Sequence, residues 1–445
     1  MQAHLEIHLQ GQWRECGTID VTEPAKGEAG AAQFSYDTHY AFSDSAPVSL
    51  RYPVNLDLHS LPHWPAFLFD LLPQGRGRRF LLGELDLTDG PAADWPLLCA
   101  GAFNPIGRLR VREAAEFYQN HLTRYNSPAT QQGFTLDQIL GTDENFIEHL
   151  QNHSMLAAGT TGVQGVAPKF LLAQAQDGRW YADSALPDAQ ARSHVLVKLA
   201  RGTDSSDHKI LRNEAAYMRV AKAMGLAVWA LPTLHENMLF IPRFDRRVHR
   251  QGVERLHQES LASLVGQIGF DLRPTQNAAL AALRQHVSDP QAATLEFIKR
   301  DVLNLAMGNT DNHARNTAVQ IIDARVQLTP LFDFAPMCLD KEGIARALRW
   351  KDENQKELRN WADVLAVLDL PDPEKNQLRQ QLAAFGEELD KLEAIMAEQG
   401  VDDDLIQFRH QAILAQREQL RELERQRIVP PTVPATKPRK EPPHG

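Results

Sequence analysis

The stretch GNTDNHARN, residues 308–316, constrains this chain more than any other part of its sequence. It crowds a carboxylate, an imidazole, a guanidinium and several carboxamides into one short segment. The preceding run, TLEFIKRDVLNLAMG, repeats apolar residues every three or four positions and predicts a buried helix that ends at Gly308. The following run, TAVQII, predicts a strand. We therefore expect the polar groups in a loop between two rigid elements, where catalytic groups concentrate.

A second acidic segment, LTPLFDFAP, follows and contains Asp333. A hairpin that turns near Asp323 and Ala324 would bring Asp333 back beside Asn316. Phosphoryl transfer requires one carboxylate to orient the attacking hydroxyl, and an amide oxygen with a second carboxylate to hold Mg²⁺. The D-x-x-x-x-N spacing from Asp311 to Asn316 matches the protein-kinase catalytic loop, and DFA stands where kinases have D-F-G. Such a short pattern also occurs in loops whose Asp and Asn only cap backbone groups.

Three upstream features occur in the order that kinases use. A Gly-rich turn, GTTGVQGVAPK, is followed by Lys198 in the strand HVLVKL and by Glu214 in a predicted helix. In that architecture Lys198 neutralises the ATP phosphates and Glu214 holds the lysine in place. Taken singly, Lys198 is also typical of a solvent-facing strand lysine, and Glu214 of a helix surface acid. The order of all five features favours a phosphotransferase.

Composition narrows the classes of function. A net charge of −10 disfavours direct binding of nucleic acid over a large surface. Three widely spaced cysteines without a CxxC motif suit a reducing cytoplasm, and no stretch of about eighteen apolar residues predicts a membrane helix.

The combination of GNTDNHARN and LTPLFDF resembles the signature of HipA-type serine/threonine kinases, the toxin components of bacterial toxin–antitoxin systems. FLFDLLPQG and GAFNPIGRLRV are similar to the N-terminal domain of that family. GVQGVAPKFLL, HVLVKL, NEAAYMRVAKAMGL, RFDRR and RLHQE are similar to segments of its kinase body. The resemblance covers roughly residues 5–420.

The resemblance implies a role for individual residues. Asp311 would be the catalytic base, and Asn316 and Asp333 would be Mg²⁺ ligands. His313 would organise the loop, and Arg315 stands where the family usually has a lysine near the phosphates. The remaining implied ATP-binding residues are Gly162, Val163, Gln164, Lys169, Lys198, Arg243 and Phe244. The family's regulatory serine has no clear counterpart, and Thr160 and Thr161 are the nearest hydroxyls for inactivation by self-phosphorylation.

The expected fold is α+β and two-lobed, like a protein kinase, with a β-rich N-terminal subdomain and a mostly helical C-terminal lobe. The expected units are a β-rich subdomain at 1–115, a helical connector at 116–153, a kinase N-lobe at 154–250, a helical C-lobe at 251–428 and a disordered Pro-rich tail at 429–445.

The expected activity is ATP- and Mg²⁺-dependent phosphorylation of a Ser or Thr in a protein substrate, for which the resemblance suggests a translation factor such as an aminoacyl-tRNA synthetase. It also suggests a small DNA-binding antitoxin as a partner. Two alternatives remain. QESLASLVGQIGF, residues 258–270, has some helix-turn-helix character and would suit a DNA-associated regulator. The other alternative is a pseudokinase that only binds ATP. The presence of Lys198, Asp311, Asn316 and Asp333 disfavours this alternative.

Overall fold

The computed structural model describes residues 1–125, 133–150, 153, 169–250, 252–270 and 273–425. The predicted Pro-rich tail at 429–445 lies outside these residues. Within the described ranges, no helix combines the length and apolar character needed to cross a membrane.

The N-terminal part is an antiparallel sheet covered by helices. Its strands are β1 (Gln2–Leu9), β2 (Gln12–Val21), β3 (Ala32–Tyr36), β4 (His59–Leu61) and β5 (Leu109–Val111), in the order β4-β3-β2-β1-β5. The helices are α1 (Thr38–Ser43), α2 (Gly75–Glu84), α3 (Asp94–Gly101) and α4 (Arg112–Tyr125). Ala3, Leu5 and Ile7 alternate along β1 and are fully buried, so one face of the sheet forms the core of this part.

Two short helices, α5 (Leu136–Leu140) and α6 (Glu144–His149), follow α4. Thr135 caps α5, and the Gln138 side chain accepts a bond from the backbone N–H of Thr135. Phe146 of α6 packs on Phe170 of the next sheet, so these helices lie against the second sheet.

The second sheet is also antiparallel. Its strands are β6 (Lys169–Ala175), β7 (Trp180–Ala182), β8 (Ala191–Leu199), β9 (Thr233–His235) and β10 (Met238–Pro242), in the order β7-β6-β8-β10-β9. The helix α7 (Ser205–Ala223) joins β8 to β9, and Leu211 and Ala215 pack on Leu239 of β10. A separate hairpin, β11 (Arg246–His249) and β12 (Gly252–Arg255), follows.

The C-terminal part is mostly helical around one small sheet. Its strands are β13 (His257–Ser260), β14 (Ala318–Ile322) and β15 (Arg325–Leu328). The helices are α8 (Leu261–Leu264), α9 (Gln276–His286), α10 (Pro290–Met307), α11 (Trp361–Val367), α12 (Asp372–Glu388), α13 (Leu392–Glu398) and α14 (Asp403–Arg425). A continuous apolar core joins these helices to α7, which makes α7 the packing link between the second sheet and the C-terminal part. The α+β, two-lobed prediction is confirmed.

The interpretation of residues 258–270 as a helix-turn-helix is wrong. Within this stretch β13 runs to Ser260 and the only helix is the four-residue α8. A helix-turn-helix needs a second, longer helix to enter the DNA major groove. Leu261 and Leu264 are buried in the core instead, which accounts for the apolar pattern.

Candidate active site

The end of α10 fixes where the polar loop begins. Gly308 has φ 81°, in the left-handed region, and an added Cβ would meet the Cys338 sulfur at 2.6 Å. Arg409 of α14 donates to the carbonyls of Leu305 at 2.7 Å and Ala306 at 3.1 Å. The last turn of α10 is therefore capped by a side chain from another helix.

Hydrogen bonds inside the loop hold its polar groups in fixed positions. Asn316 Nδ2 donates to the backbone carbonyl of Asp311 at 2.8 Å, while Asn309 Oδ1 accepts from the N–H of Asp311 at 3.3 Å. His313 Nε2 lies 3.6 Å from Asp311 Oδ1. Among the described residues, the amide oxygen of Asn316 accepts no hydrogen bond, and the bond from Nδ2 fixes the orientation of the amide.

Asn312 connects this loop to the segment after Asp333. Its Oδ1 accepts from the N–H groups of Ala347 at 2.9 Å and Leu348 at 3.3 Å, and its Nδ2 donates to the Leu348 carbonyl at 2.9 Å. Three backbone bonds from one side chain fix the spacing between the two segments.

The predicted hairpin does return Asp333 to the loop. β14 pairs with β15, and the turn residues Asp323 and Ala324 have φ 49° and 60°, as two-residue hairpin turns require. Asp333 itself has φ 53°, a sparsely populated conformation for a non-glycine residue that occurs in turns and clusters at functional sites. Asp311, Asn316 and Asp333 line one small cavity.

Two lysines face this carboxylate from the second sheet. Lys169 of β6 and Lys198 of β8 are directly opposite each other in the register. Lys198 Nζ lies 2.7 Å from Asp333 Oδ1 and 2.6 Å from Glu214 Oε2, and Lys169 Nζ lies 3.8 Å from Asp333 Oδ2. Like charges that face each other across strands repel. A buried pair of lysines therefore indicates an anion-binding site.

Burial and charge act against each other on these groups. Burial disfavours the charged form of Lys198, but Asp333 and Glu214 outweigh it and raise its pKa. Burial also opposes ionisation of Asp333, yet Lys169 and Lys198 hold the pKa of this carboxyl well below its ordinary value. Asp311 is different, because burial raises its pKa. The site therefore contains one carboxylate fixed as an anion and one whose affinity for a proton is increased.

An inter-lobe cavity of about 120 Å³ opens beside the lysines. One end is polar and contains Lys169, Lys198, Asn316 and Asp333. The rest is largely apolar and is lined by Ile106, Leu196, Met218, Trp229, Ile241, Phe244, Leu331 and Phe332, among others. An apolar cavity with charged groups converging at one end is the usual form of a small-molecule site.

Phe244 and Arg243, both predicted to bind ATP, line this cavity in different ways. The Phe244 ring lies 5.8 Å from that of Phe332. The Arg243 guanidinium is instead held at 2.9 Å by Asp183 and 2.7 Å by Asp245 in a buried network. Its charge is compensated within the protein, so Arg243 shapes the cavity wall and offers no unpaired charge to a ligand.

The same network joins the N-terminal sheet to the second sheet. Asp245 accepts from the N–H of Gly107 at 2.8 Å and from Arg246 at 2.6 Å, and Arg246 donates to the carbonyls of Pro105 and Gly107. The loop at 103–107 is thereby tied to the wall of the inter-lobe cavity, and Ile106 lines that cavity.

We expect Asp245→Asn to lower the free energy of unfolding by about 3–5 kcal/mol, because two buried guanidinium groups would lose a shared carboxylate. The measurement is the urea midpoint followed by circular dichroism. Asp44→Asn is the control, since Asp44 pairs with the partly exposed Arg14, and it should cost less than about 1 kcal/mol. Equal midpoints for the two variants would contradict this account of the network.

Arg315 does not reach the cavity. Its Nη2 donates to the carbonyl of Gly269 at 3.0 Å, and its guanidinium lies 4.5 Å from the centre of the Phe270 ring. The side chain is 6% exposed. The expectation that Arg315 contacts phosphates is thus not supported, because a cation–π contact and a carbonyl turn it toward the N-terminal part of the chain.

The other predicted residues divide into two groups. Glu214 and His313 lie at the site. Glu214 pairs with Lys198, and His313 lines a cavity together with Asp311. The phosphate-turn residues Gly162, Val163 and Gln164 and the candidate regulatory residues Thr160 and Thr161 lie outside the described residues.

The sequence analysis did not identify two of the residues that line the cavity. Ile106 lies in the N-terminal part, far along the chain from the other lining residues, and only its NPIG turn marks it. Trp229 lines the cavity although its side chain is 52% exposed, in a loop with no motif of its own.

Comparison with known proteins identifies the family. Residues 161–398 match the HipA-like C-terminal domain, and residues 7–112 match the HipA N-terminal domain. The chain belongs to the HipA family. The resemblance to the HipA family that the sequence analysis describes is therefore confirmed. The two matches cover both the N-terminal part and the lobes that contain the site.

Individual relatives are more distant. A Sinorhizobium fredii protein designated Y4mE, whose name describes it as a candidate kinase, is 26% identical over 333 residues, which are 68% of this chain and 73% of that protein. The serine/threonine-protein kinase toxin HipA of Shewanella oneidensis is 22% identical over 295 residues, covering 60% of this chain and 61% of the toxin.

A solved structure supports the fold. It is the Shewanella oneidensis HipA, HipB and operator DNA complex, in which the matched chain has a TM-score of 0.60 and 21% identity. The match covers 95% of this chain and 97% of that one. The HipA-like architecture expected from the sequence thus extends over nearly the whole chain.

Proposed function

We propose that this HipA-family kinase transfers the γ-phosphoryl group of ATP to a serine or threonine hydroxyl of a protein, with Mg²⁺ as cofactor. One observation carries the proposal: Asp333 lies between the opposed Lys169 and Lys198 and lines a cavity together with Asp311 and Asn316. This set combines anion binding, metal ligands and a base within one cleft.

The inter-lobe cavity fits a nucleotide with its base in the apolar part. Phe244, Phe332 and Leu196 offer flat or aliphatic contacts, and the phosphates would then point to Lys169 and Lys198. Glu214 keeps Lys198 oriented at 2.6 Å. This division of roles follows the kinase arrangement.

Asn316 and Asp333 fit Mg²⁺, because they offer an amide oxygen and a carboxylate kept anionic. Among the described residues there is no cluster of three or more His, Cys, Asp or Glu side chains that could hold a metal by themselves. Mg²⁺ commonly takes one or two protein ligands and completes its shell with phosphate oxygens and water. When bound, the ion would neutralise charge on the phosphates.

Asp311 is the proposed base. In the proposed reaction it orients the acceptor hydroxyl and takes its proton, the hydroxyl oxygen bonds to the γ-phosphorus, and the bond from that phosphorus to the ADP oxygen breaks. Burial raises the pKa of Asp311, which strengthens it as a proton acceptor. His313 is kept neutral by burial, which lowers its pKa, and it positions Asp311.

The acceptor protein that we propose to test first is a translation factor, such as an aminoacyl-tRNA synthetase. Purified chain incubated with γ-labelled ATP, Mg²⁺ and a host lysate should label a discrete band that contains phosphoserine or phosphothreonine. The band should be absent with EDTA and with the Asp311→Asn variant. A label on tyrosine, or none with a chain that binds ATP, would refute the proposed acceptor chemistry.

A DNA-binding antitoxin is the proposed partner, because the similar Shewanella structure contains HipA with HipB and operator DNA. With a net charge of −10, the chain alone should bind duplex DNA only at the non-specific level, roughly 10⁻⁴–10⁻⁶ M at physiological salt. Fluorescence anisotropy with the chain's own promoter and a scrambled duplex measures this. Nanomolar, sequence-specific binding by the chain alone would favour the DNA-associated alternative.

The structure disfavours a pseudokinase. Lys198, Asp311, Asn316 and Asp333 are all present and converge on one cleft.

Cys16, Cys99 and Cys338 are free thiols, which is consistent with the proposed cytoplasmic location.

A further inference from the structure

A second, outer cavity of about 290 Å³ adjoins the inter-lobe cavity. The two share Lys169, Lys198 and Asp333. Asp311 and His313 line the outer cavity and not the inter-lobe cavity. We therefore expect a group that reaches Asp311 while a nucleotide fills the inter-lobe cavity to enter through the outer cavity, because the small cavity that Asp311 also lines holds only about 30 Å³.

Most of the surface that the outer cavity exposes is apolar, although charged side chains also line it. One wall is a face of α7 in which Asp207, Ile210, Leu211 and Glu214 recur at helical spacing. Met337 and Ile344, both half-buried, come from the segment after Asp333 and also line the cavity, as do Leu199 and Ala200.

Among the described residues, most charged groups of this cavity are already paired within the protein, and Asp207 is the exception. Lys198 is held by Glu214 and Asp333. Arg201 contacts Asp340 at 2.7 Å and also pairs with Glu342. The contacts left for an incoming side chain are therefore mainly aliphatic.

Arg201 holds the wall that residues 337–347 form. Met337–Leu339 form one 3-10 turn, and residues 340–347 form neither helix nor strand, so this segment has little internal support. Three ion pairs join it to the loop before α7: Arg201 with Asp340, Arg201 with Glu342, and Lys341 with Asp204 at 2.8 Å. The Asp340 side chain is 2% exposed whereas Lys341 and Asp204 are more than half exposed, so the Arg201–Asp340 pair dominates.

We propose that the outer cavity is the subsite for the acceptor segment of the protein substrate, that it takes an aliphatic side chain next to the acceptor hydroxyl, and that Arg201 is the residue that positions its wall. The proposal rests on the proposed kinase function and specifies its substrate class. Aliphatic selection would follow from burial of that side chain between Ile210, Met337 and Ile344.

The first test uses a library of serine and threonine peptides in which one flanking position at a time is fixed, with γ-labelled ATP and Mg²⁺. Wild type should select Leu, Ile, Val or Met at one position next to the acceptor. Ile344→Glu should lose that selection and favour Lys or Arg there. An unchanged profile in Ile344→Glu, or failure to label any peptide by a chain that labels a lysate protein, would overturn the subsite. A chain that neither binds ATP–Mg²⁺ nor labels any protein would instead refute the proposed function.

The second test separates positioning by Arg201 from general damage. Arg201→Met should raise the KM for the selected peptide about tenfold, as loss of one partly buried ion pair implies, and leave the KM for ATP within about twofold. Arg201→Lys should restore part of the effect because it keeps one ion pair. The control is Arg212→Met on the neighbouring helix α7, since Arg212 pairs with Asp402 outside the cavity. Equal peptide KM values for Arg201→Met and Arg212→Met would overturn the role of Arg201.

Discussion

Asp311→Asn is expected to lower the rate of phosphoryl transfer by about 10²–10⁴-fold, the contribution typical of a general base. The affinity for ATP–Mg²⁺ should change by no more than about twofold. Binding should persist because Asp311 does not line the inter-lobe cavity. Asn keeps the size of the side chain, and the backbone carbonyl that accepts from Asn316 is unaffected. A loss in turnover without a loss in binding marks an interaction used in the transition state.

The pH dependence gives a second readout for Asp311. The base must be ionised, so transfer by wild type should be slow at low pH and rise as pH passes through the raised pKa of this carboxyl. Asp311→Asn should lose that acidic limb. Single-turnover rates and calorimetric titrations with ATP–Mg²⁺ measure both effects.

Asp289→Asn is the matched control for Asp311→Asn. Asp289 caps the start of α10 by accepting from the N–H of Ala292, and Asn caps helices equally well. The control should transfer phosphate like wild type. Wild-type turnover by Asp311→Asn itself would show that another group is the base.

Asp333→Asn is expected to abolish the dependence of ATP binding on Mg²⁺. Wild type should bind ATP more tightly with Mg²⁺ than with EDTA, by about tenfold or more, which corresponds to about 1.4 kcal/mol. In the variant this ratio should fall close to one. The metal loses a carboxylate ligand, while Lys169 and Lys198 lose an anionic partner and attract metal-free ATP more strongly.

Calorimetry with ATP in Mg²⁺ and in EDTA gives the ratio for each variant. Asp323→Asn is the control, since Asp323 lies in the turn between β14 and β15 at φ 49°, where Asn is favoured. Its ratio should equal that of wild type. If Asp333→Asn also kept the wild-type ratio, Asp333 would not be a ligand of the metal.

The parts of the site predicted from sequence are those set by order and local turns. Lys198 and Glu214 were identified because a strand and a helix follow the Gly-rich turn in kinase order, and their side chains do meet. Asp333 was placed beside the loop because Asp323 and Ala324 suit a hairpin turn, which the structure contains.

Side-chain direction and long-range pairing had no local signal. Arg315 lies in the predicted loop, but Gly269 and Phe270 draw its guanidinium away from the cavity. The resemblance implies that Arg243 binds ATP, whereas its guanidinium is held by Asp183, a partner sixty positions away. Such contacts depend on how separate parts of the chain pack, which periodicity and spacing do not specify.

A crystal structure with Mn²⁺ and a non-hydrolysable ATP analogue would test most directly the claim that this cleft is a phosphotransfer site. We expect the adenine in the inter-lobe cavity beside Phe244, and an anomalous peak for Mn²⁺ within ligand distance of both Asn316 and Asp333. The terminal phosphate should lie at the boundary with the outer cavity, facing Asp311. A nucleotide bound elsewhere, or a metal that contacts neither Asn316 nor Asp333, would contradict the account.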